Sequence, residues 1–164
     1  MATAFEDLRM LQAVEAIADE LWKEIMTWGN FPRDVVGKQM ARSADSIGAN
    51  IAESYGRYHY GEKLQFLYYA RGSLFETKYW INRCQKRGLL DHQKVNNYSR
   101  KLSDAARQIN LFANSLKQQK RTKSKPNSIK EPSPTYNAKT ETHSLFSHSD
   151  IDWLESPISQ SPNL

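Results

Sequence analysis

Three observations predict an all-α protein. Apolar residues recur three and four positions apart over four long stretches, the spacing of one face of a helix. No segment rich in β-branched residues alternates apolar and polar, so strands have no competing claim. Turn residues fall where the stretches end, at Gly29-Asn30, Gly56 and Gly88. Short connections between long helices imply an antiparallel up-down-up-down four-helix bundle. The bundle is expected over 1–119, with a disordered C-terminal tail over 120–164.

The first helix is expected over about 5–28. Leu11, Val14, Ala18, Leu21, Ile25 and Trp28 form its stripe, and Ile17 and Trp22 widen it. Gly29-Asn30 breaks it, and Pro32 suits a turn or a first helical position. The second helix is expected over about 36–55, with Met40, Ala44, Ile47, Ile51 and Tyr55 on its apolar side. The third runs over about 62–87. Leu67, Ala70, Leu74, Thr77, Ile81 and Cys84 share its core face, and Phe66, Tyr68, Tyr69, Phe75, Tyr79 and Trp80 spread around the remainder. Gly88, after Lys86 and Arg87, is placed as a C-terminal cap with the charge sign a helix end favours. The fourth begins at Asp91, an N-cap candidate. Val95, Tyr98, Leu102, Ala105, Ile109, Phe112 and Leu116 then give the cleanest amphipathic pattern in the chain.

The tail has a different texture. Residues 120–130 hold five Lys/Arg and no acid, and 131–164 hold one Lys against five acids. Prolines, serines and threonines dominate its first part, with too little apolar area to offset chain entropy. Its end, FSHSDIDWLESPISQ, sets Phe146, Ile151, Trp153 and Leu154 among acids and serines. It reads either as plain tail or as a short acidic-aromatic peptide that docks on a partner or back on the body.

The 164 residues suit one domain. The net charge of +5 is compatible with nucleic acid or acidic surfaces and says little about fold. The start, MATAFEDLRM, has acids and no apolar core, so no signal peptide is expected. No run approaches the length of a membrane span. With one cysteine there is no internal disulfide, and a soluble cytoplasmic protein is expected.

Catalytic chemistry finds little purchase. His59 and His92 fall at predicted turns, and His143 and His148 lie in the tail, with no metal-ligand spacing among them. Cys84 reads as a small buried hydrophobe despite nearby Arg83, Lys86 and Arg87. The glycines form no phosphate cradle, and Ser46 lies in no G-x-S-x-G elbow. No catalytic residue, cofactor or metal is expected, and an enzyme is not.

The second helix carries two unusual stripes. One is small: Ala41, Ala44, Gly48 and Ala52. Such a stripe lets helix backbones approach closely. The other is polar: Gln39, Arg42, Ser46, Asn50, Glu53 and Arg57, all three or four apart and projecting one way. Asn and Ser lower propensity inside a helix, so contacts or function must compensate. The series reads as a hydrogen-bonded seam between helices or subunits, or as a surface facing RNA or protein. Catalysis is the weakest reading, because no general base pairs with a nucleophile.

The same residues carry a family resemblance. Gln39, Arg42, Ser46, Ile47, Asn50, Ile51, Ala52 and Glu53 follow the pattern Q-x-x-R-A-x-x-S-I-x-x-N-I-A-E-G. Phe31-Pro32 and Gly37 match the usual lead. Phe66-Leu67, Ala70, Gly72-Ser73 and Glu76 follow F-L-x-x-A-x-G-S-x-x-E, and Gly88-Leu89-Leu90 matches the turn before the last helix. Over about 5–119 the chain resembles the 23S rRNA intervening sequence proteins, or S23-like proteins, a four-helix bundle family. Gly48 departs from the family's usual Pro and Ser54 from its usual Gly, and the tail has no counterpart.

The resemblance implies a small, intracellular, non-enzymatic protein that forms a barrel-shaped homopentamer. Some members are encoded within insertions of ribosomal RNA genes. Related proteins are accessory subunits of the reverse transcriptase of diversity-generating retroelements. Gln39, Ser46, Asn50, Glu53, Gly72, Ser73 and Glu76 would then mainly define packing. The expected function is binding of RNA or a ribonucleoprotein by an oligomer; the alternative is a protein-binding adaptor, for instance of a reverse transcriptase. Candidate nucleic-acid or partner contacts are Arg42, Arg57, Lys63, Arg71, Arg83, Lys86, Arg87, Lys120, Arg121, Lys123 and Lys125.

Overall fold

The apolar stripes become helices that bury them against one another. A computed structural model describes residues 9–123 and 144–156, with side chains to 120 and from 144. Among these residues there are five helices of at least two turns: α1 (Arg9–Met26), α2 (Lys38–Gly56), α3 (Tyr60–Lys86), α4 (His92–Lys123) and α5 (His148–Glu155). The fold is all-α, with the helices packed around one core.

Helix α1 buries Met10, Leu11, Val14, Ile17, Leu21 and Ile25. Trp22, expected to widen that stripe, instead faces outward. Its position is one step past Leu21, and the stripe is filled without it. Trp28 is buried just beyond the helix end.

Helix α2 is entered earlier than expected. A three-residue helical turn (Asn30–Pro32) leads into a π-helical turn (Arg33–Gly37), which continues into α2. Pro32 is tolerated there because first-turn N–H groups have no intrahelical acceptor. The π-turn brings Gly37 against α1: a Cβ at Gly37 would lie 2.6 Å from Ile25 Cγ2. Met40, Ala44, Ile47 and Ile51 are buried as expected, whereas Tyr55, in the last turn, is exposed.

Every residue assigned to the core face of α3 is buried, including Thr77 and Cys84. Gly88 has φ +71°. Its N–H donates to Gln85 O and the Leu89 N–H to Cys84 O, the bond pair that closes a helix on a left-handed residue. Asp91 caps α4 by accepting from the Lys94 N–H at 2.8 Å.

Helix α1 packs on α2 and α4, α2 on α3, and α3 on α4. Glu24 pairs with Lys94 and Glu20 with Lys101, so contacts climb α1 as they descend α4. Between α2 and α3 the order also reverses: Cys84 Sγ meets Met40 Sδ, and Ser54 Oγ donates to Lys63 O.

Two features depart from the expected bundle-plus-tail. Helix α4 runs past 119 to Lys123, and residues 144–156, placed in the disordered tail with docking back on the body as the other reading, form α5 and its lead-in packed on α4. The reason is local. Ser147 and Asp150 make a reciprocal capping box, and Leu145, Phe146, Ile151 and Leu154 are buried. The rest of the stretch 124–143, and 157–164, lies outside the described residues.

Candidate functional site

The two flanks of α3 gather the polar and charged groups singled out from the sequence. On one flank α2 presents its polar series. Here Asn50 Nδ2 donates to Ser46 O at 2.8 Å and, at 3.4 Å, to Ser73 Oγ of α3. Ser46 Oγ donates back to Arg42 O, and Ser73 Oγ to Tyr69 O. Beneath, Thr77 Oγ1 reaches Ser43 Oγ at 3.1 Å. Arg57 pairs with Glu53 and lies over the Phe66 ring, 4.6 Å from its centroid. The middle and end of the series therefore stitch α2 to α3. Gln39 and Arg42, at its start, are exposed. Glu76 Oε1 accepts from Trp80 Nε1 on the same outer surface, and Gly72 is exposed with nothing near its Cβ position.

The small stripe behaves differently from end to end. Ala44 is buried, and Gly48 faces Val14 and Leu11 of α1. Along the stripe, from Ala44 and Gly48 to Ala49 and Ala52, the helices leave a cavity of about 280 Å³, open to solvent and edged by Glu15, Asp19 and Asp45.

On the other flank, α3 and α4 form a groove that α5 fills. Lys78 lies at its floor, 0% exposed. Its ammonium donates to Ser99 Oγ of α4 and, at 3.0 Å, to the backbone carbonyl of Ser156, at the C-terminus of α5. A helix C-terminus carries partial negative charge, so it suits a cation. Burial still lowers the Lys78 pKa to about 8. Arg71 Nη2 meets Asp150 Oδ2 at 3.0 Å, and Arg107 pairs with Glu155. Desolvation pushes the Asp150 carboxyl up, but the Ser147 cap and Arg71 outweigh it and hold the group below its usual value. Hydrogen bonds from Arg107 and then Ser103 hold Glu155 low as well.

The Asn110 amide clasps the lead-in from both sides, accepting from Phe146 N at 2.7 Å and donating to Phe146 O at 2.8 Å. Phe75 stacks between Phe146 and Trp153, with ring planes within 6° and 11° of parallel. Arg71 adds its cation over Phe75 at 4.8 Å.

The candidate cations thus fall into separate environments. Arg71 is engaged under α5, and Arg57 is paired with Glu53. Lys63 donates to Tyr55 O at 3.1 Å. Arg42, Arg83, Lys86 and Arg87 have no carboxylate at ion-pair distance among the described residues, and Lys120 is exposed. Arg121 and Lys123 are in the last turn of α4, their side chains outside the described set, and Lys125 lies beyond it altogether.

Lys78, Ser99, Ser103, Arg107 and Asn110 were not among the residues read from the sequence as a site. A signal existed for Lys78: it stands four residues after Leu74 and three before Ile81, inside an apolar register.

Among the described residues no group of three His, Cys, Asp or Glu side chains is placed to hold a metal ion. Cys84 is buried, and burial pushes its thiol up to about 12, far from a reactive thiolate. No described helix is long and apolar enough to cross a membrane.

No curated protein matches the chain. A family model, 23S rRNA-intervening sequence protein, matches residues 6–111. That span takes in α1, α2, α3 and most of α4, with the whole polar series, and stops short of α5. With well over half of its length matched, the chain belongs to the 23S rRNA-intervening sequence protein family.

Proposed function

We propose that the protein is a non-enzymatic, self-associating four-helix up-down-up-down bundle that binds RNA or a ribonucleoprotein, with α5 an addition to that bundle. The observation that carries the reading is the outer surface of α2 and α3. It keeps unpaired cations beside large apolar side chains that a lone bundle has no use for. Tyr69 and Tyr79 are each about half exposed, at 50% and 51%, and Arg42 and Arg83 share the same helices. Trp22, Met26, Phe31 and Val35 add exposed apolar surface where α1 turns into α2. Exposed apolar surface of this kind marks a contact with another molecule. In a closed ring the same patch repeats on every copy, so a mildly basic body becomes a continuous basic field.

Membership of the 23S rRNA-intervening sequence protein family supports a non-enzymatic role, and the basic face supports RNA as the ligand class. A homopentamer is the assembly we propose, and cytoplasm the compartment. The cations of the face would act as phosphate contacts, with exposed tyrosines available for base stacking.

Two measurements test the reading. Multi-angle light scattering of the full chain at micromolar concentration gives an assembly, five chains by this proposal; a monomer at all concentrations removes the ring. Affinity for structured RNA falls steeply between about 50 and about 200 mM salt, as counterion release requires. No binding at low salt, or a flat response, leaves the protein-adaptor role, such as a subunit of a retroelement reverse transcriptase.

A further inference from the structure

The chain's own α5 fills the α3/α4 groove, and twenty residues separate Lys123 from Ser144. That stretch can reach at most roughly 70 Å, ample for α5 to dock on its own chain and, once released, to clear the groove. At eight residues α5 is too short to hold helical form alone in water, so its helix and its docking stand or fall together. Docking also buries the Lys78 ammonium, 0% exposed beneath the Ser156 carbonyl, and taking that charge out of water weakens the closed state. Helix α5 is therefore a cover that can open.

Beneath the cover the body presents cations, a ring and an amide. Arg71, Lys78 and Arg107 are the cations. Asp104, paired with Arg107, is the only carboxylate of the body at ion-pair distance from any of them among the described residues. The ring is Phe75, and the amide is Asn110, with donor and acceptor side by side.

The cover meets each of these groups as a single strand of nucleic acid would. The Asp150 and Glu155 carboxylates sit on Arg71 and Arg107, where phosphates would sit. The Phe146 and Trp153 rings lie within 6° and 11° of parallel to Phe75, as a stacked base would. The Phe146 N–H and C=O meet the Asn110 amide at 2.7 and 2.8 Å, a donor–acceptor pair of the kind that the edge of an unpaired base carries. A duplex is excluded, because stacking on Phe75 and bonding to Asn110 both need a base free of its partner. Leu145, Ile151 and Leu154 have no counterpart in a strand; their burial holds the cover shut.

We propose that the α3/α4 groove is a binding site for single-stranded nucleic acid and that the chain's own α5 covers it as an internal competitor. Charge complementarity selects a polyanion: Asp150, Asp152 and Glu155 of α5 face a groove whose own balance is positive. The site lies on the flank of α3 away from α2 and uses other residues than the α2/α3 face, so either can fail while the other holds.

Full-length Leu154→Asp opens the cover and adds a carboxylate, so overall charge alone predicts weaker binding of a polyanion. Its affinity for a fluorescein-labelled oligonucleotide of about twelve nucleotides, in about 50 mM salt, should instead exceed that of wild type by about tenfold or more. RNA and DNA probes of one sequence distinguish the ligand: a gain for both assigns recognition to bases and phosphates, and a gain for RNA alone adds a 2′-OH contact. In the opened protein, Phe75→Leu keeps the apolar character, removes the stacking ring and should erase most of the gain. Arg71→Gln with Arg107→Gln should erase it too and flatten the salt dependence. A peptide of residues 144–156 should compete with the probe.

No gain with either probe overturns the proposal, and so does a gain that survives both sets of groove substitutions. Uptake of the peptide without uptake of either oligonucleotide makes the groove a seat for α5 alone, and overturns it as well. Should the groove substitutions unfold the body, wild-type protein decides. Saturating oligonucleotide must then strip hydrogen-exchange protection from the amides of 148–155. Oligonucleotide bound with α5 still protected removes this site and leaves the α2/α3 reading. Protection lost in a protein that structured RNA does not bind keeps this site and removes that reading.

Discussion

Helix α3 has two flanks, and both carry aromatic and basic residues, but the flanks solve different problems. Toward α5, Arg71, Phe75 and Lys78 are each matched by a specific partner, and the charge of Lys78 is fully removed from water. Toward α2, the polar groups bond mainly to their own backbone, and Tyr69, Glu76 and Arg42 stay in solvent. A satisfied flank resists change in any of its members. An open flank tolerates change until a second molecule covers it. Substitutions on the two should therefore differ in size and in what they report.

The largest effect is expected from Leu154→Asp. Leu154 is 0% exposed, and a carboxylate in its place either loses its charge or expels the helix. Helix α5 should undock, with its amides losing hydrogen-exchange protection, while α1, α2 and the core of α3 keep theirs. Retained protection in 148–155 would mean that the groove is far looser than its contacts suggest.

Next comes a pH-dependent effect at Lys78. Its folded pKa is about 8, below the ordinary 10.5. Below pH 8 both states hold the proton, and the fold bears the full cost of a buried ammonium. Between about 8 and 10.5 the unfolded chain holds more protons than the folded one, so stability from this group rises with pH, by on the order of 3 kcal/mol in all. Cys84 and Tyr98, both pushed up to about 12 by burial, act in the opposite direction above their ordinary values. The clean measurement is the difference between wild type and Lys78→Met in denaturant unfolding at pH 7.5 and pH 10. That difference should shift in favour of wild type; an unchanged difference means that water reaches the ammonium.

How much of this contrast was legible in the sequence follows from periodicity. Every residue assigned to the core face of α3 is buried, and on α4 all but the half-buried Phe112, because three- and four-residue spacing reports burial against a continuous partner; α4 also buries Ser99, Ser103, Ala106 and Ala113, which lay outside the stripe read from the sequence. Trp22 and Tyr55 were misplaced because each adjoins a stripe, and spacing cannot say where a stripe's edge lies. The polar series was visible, but not that Asn50 spans to Ser73 while Arg42 points away, since that depends on how α2 crosses α3. The α5 groove was hardest. Ser147 and Asp150 sit at capping-box spacing, and the acidic-aromatic end was visible too. Its site, however, joins Arg71 to Asp150, 79 positions apart, and no local pattern predicts that pairing.

The small stripe divides the same way. Ala44→Leu should destabilise by about 1–3 kcal/mol, because Ala44, although it too lines the cavity between α1 and α2, is 1% exposed. Ala52→Leu should cost well under that, since Ala52 borders the open cavity beside Leu11 and Val14. Equal urea midpoints for the two variants would show that α1 can shift to admit either side chain.

The smallest effect is expected from Asn50→Ala, and it separates packing from function on the open flank. Asn50 is half-buried, and its link to Ser73 is long at 3.4 Å. Its bond to Ser46 O engages a carbonyl that the helix already uses, so its loss strands no buried group. A net of roughly 0.5–1 kcal/mol in the isolated chain is the expected loss. If the flank meets a second copy or RNA, the same substitution removes an amide from a covered interface, where an unpaired partner costs more than it does in water. The loss in assembly or RNA affinity should then exceed the loss in monomer stability. Equal losses in the two measurements would assign Asn50 to the α2–α3 seam alone, and leave Arg42 and the exposed tyrosines as the residues that face outward.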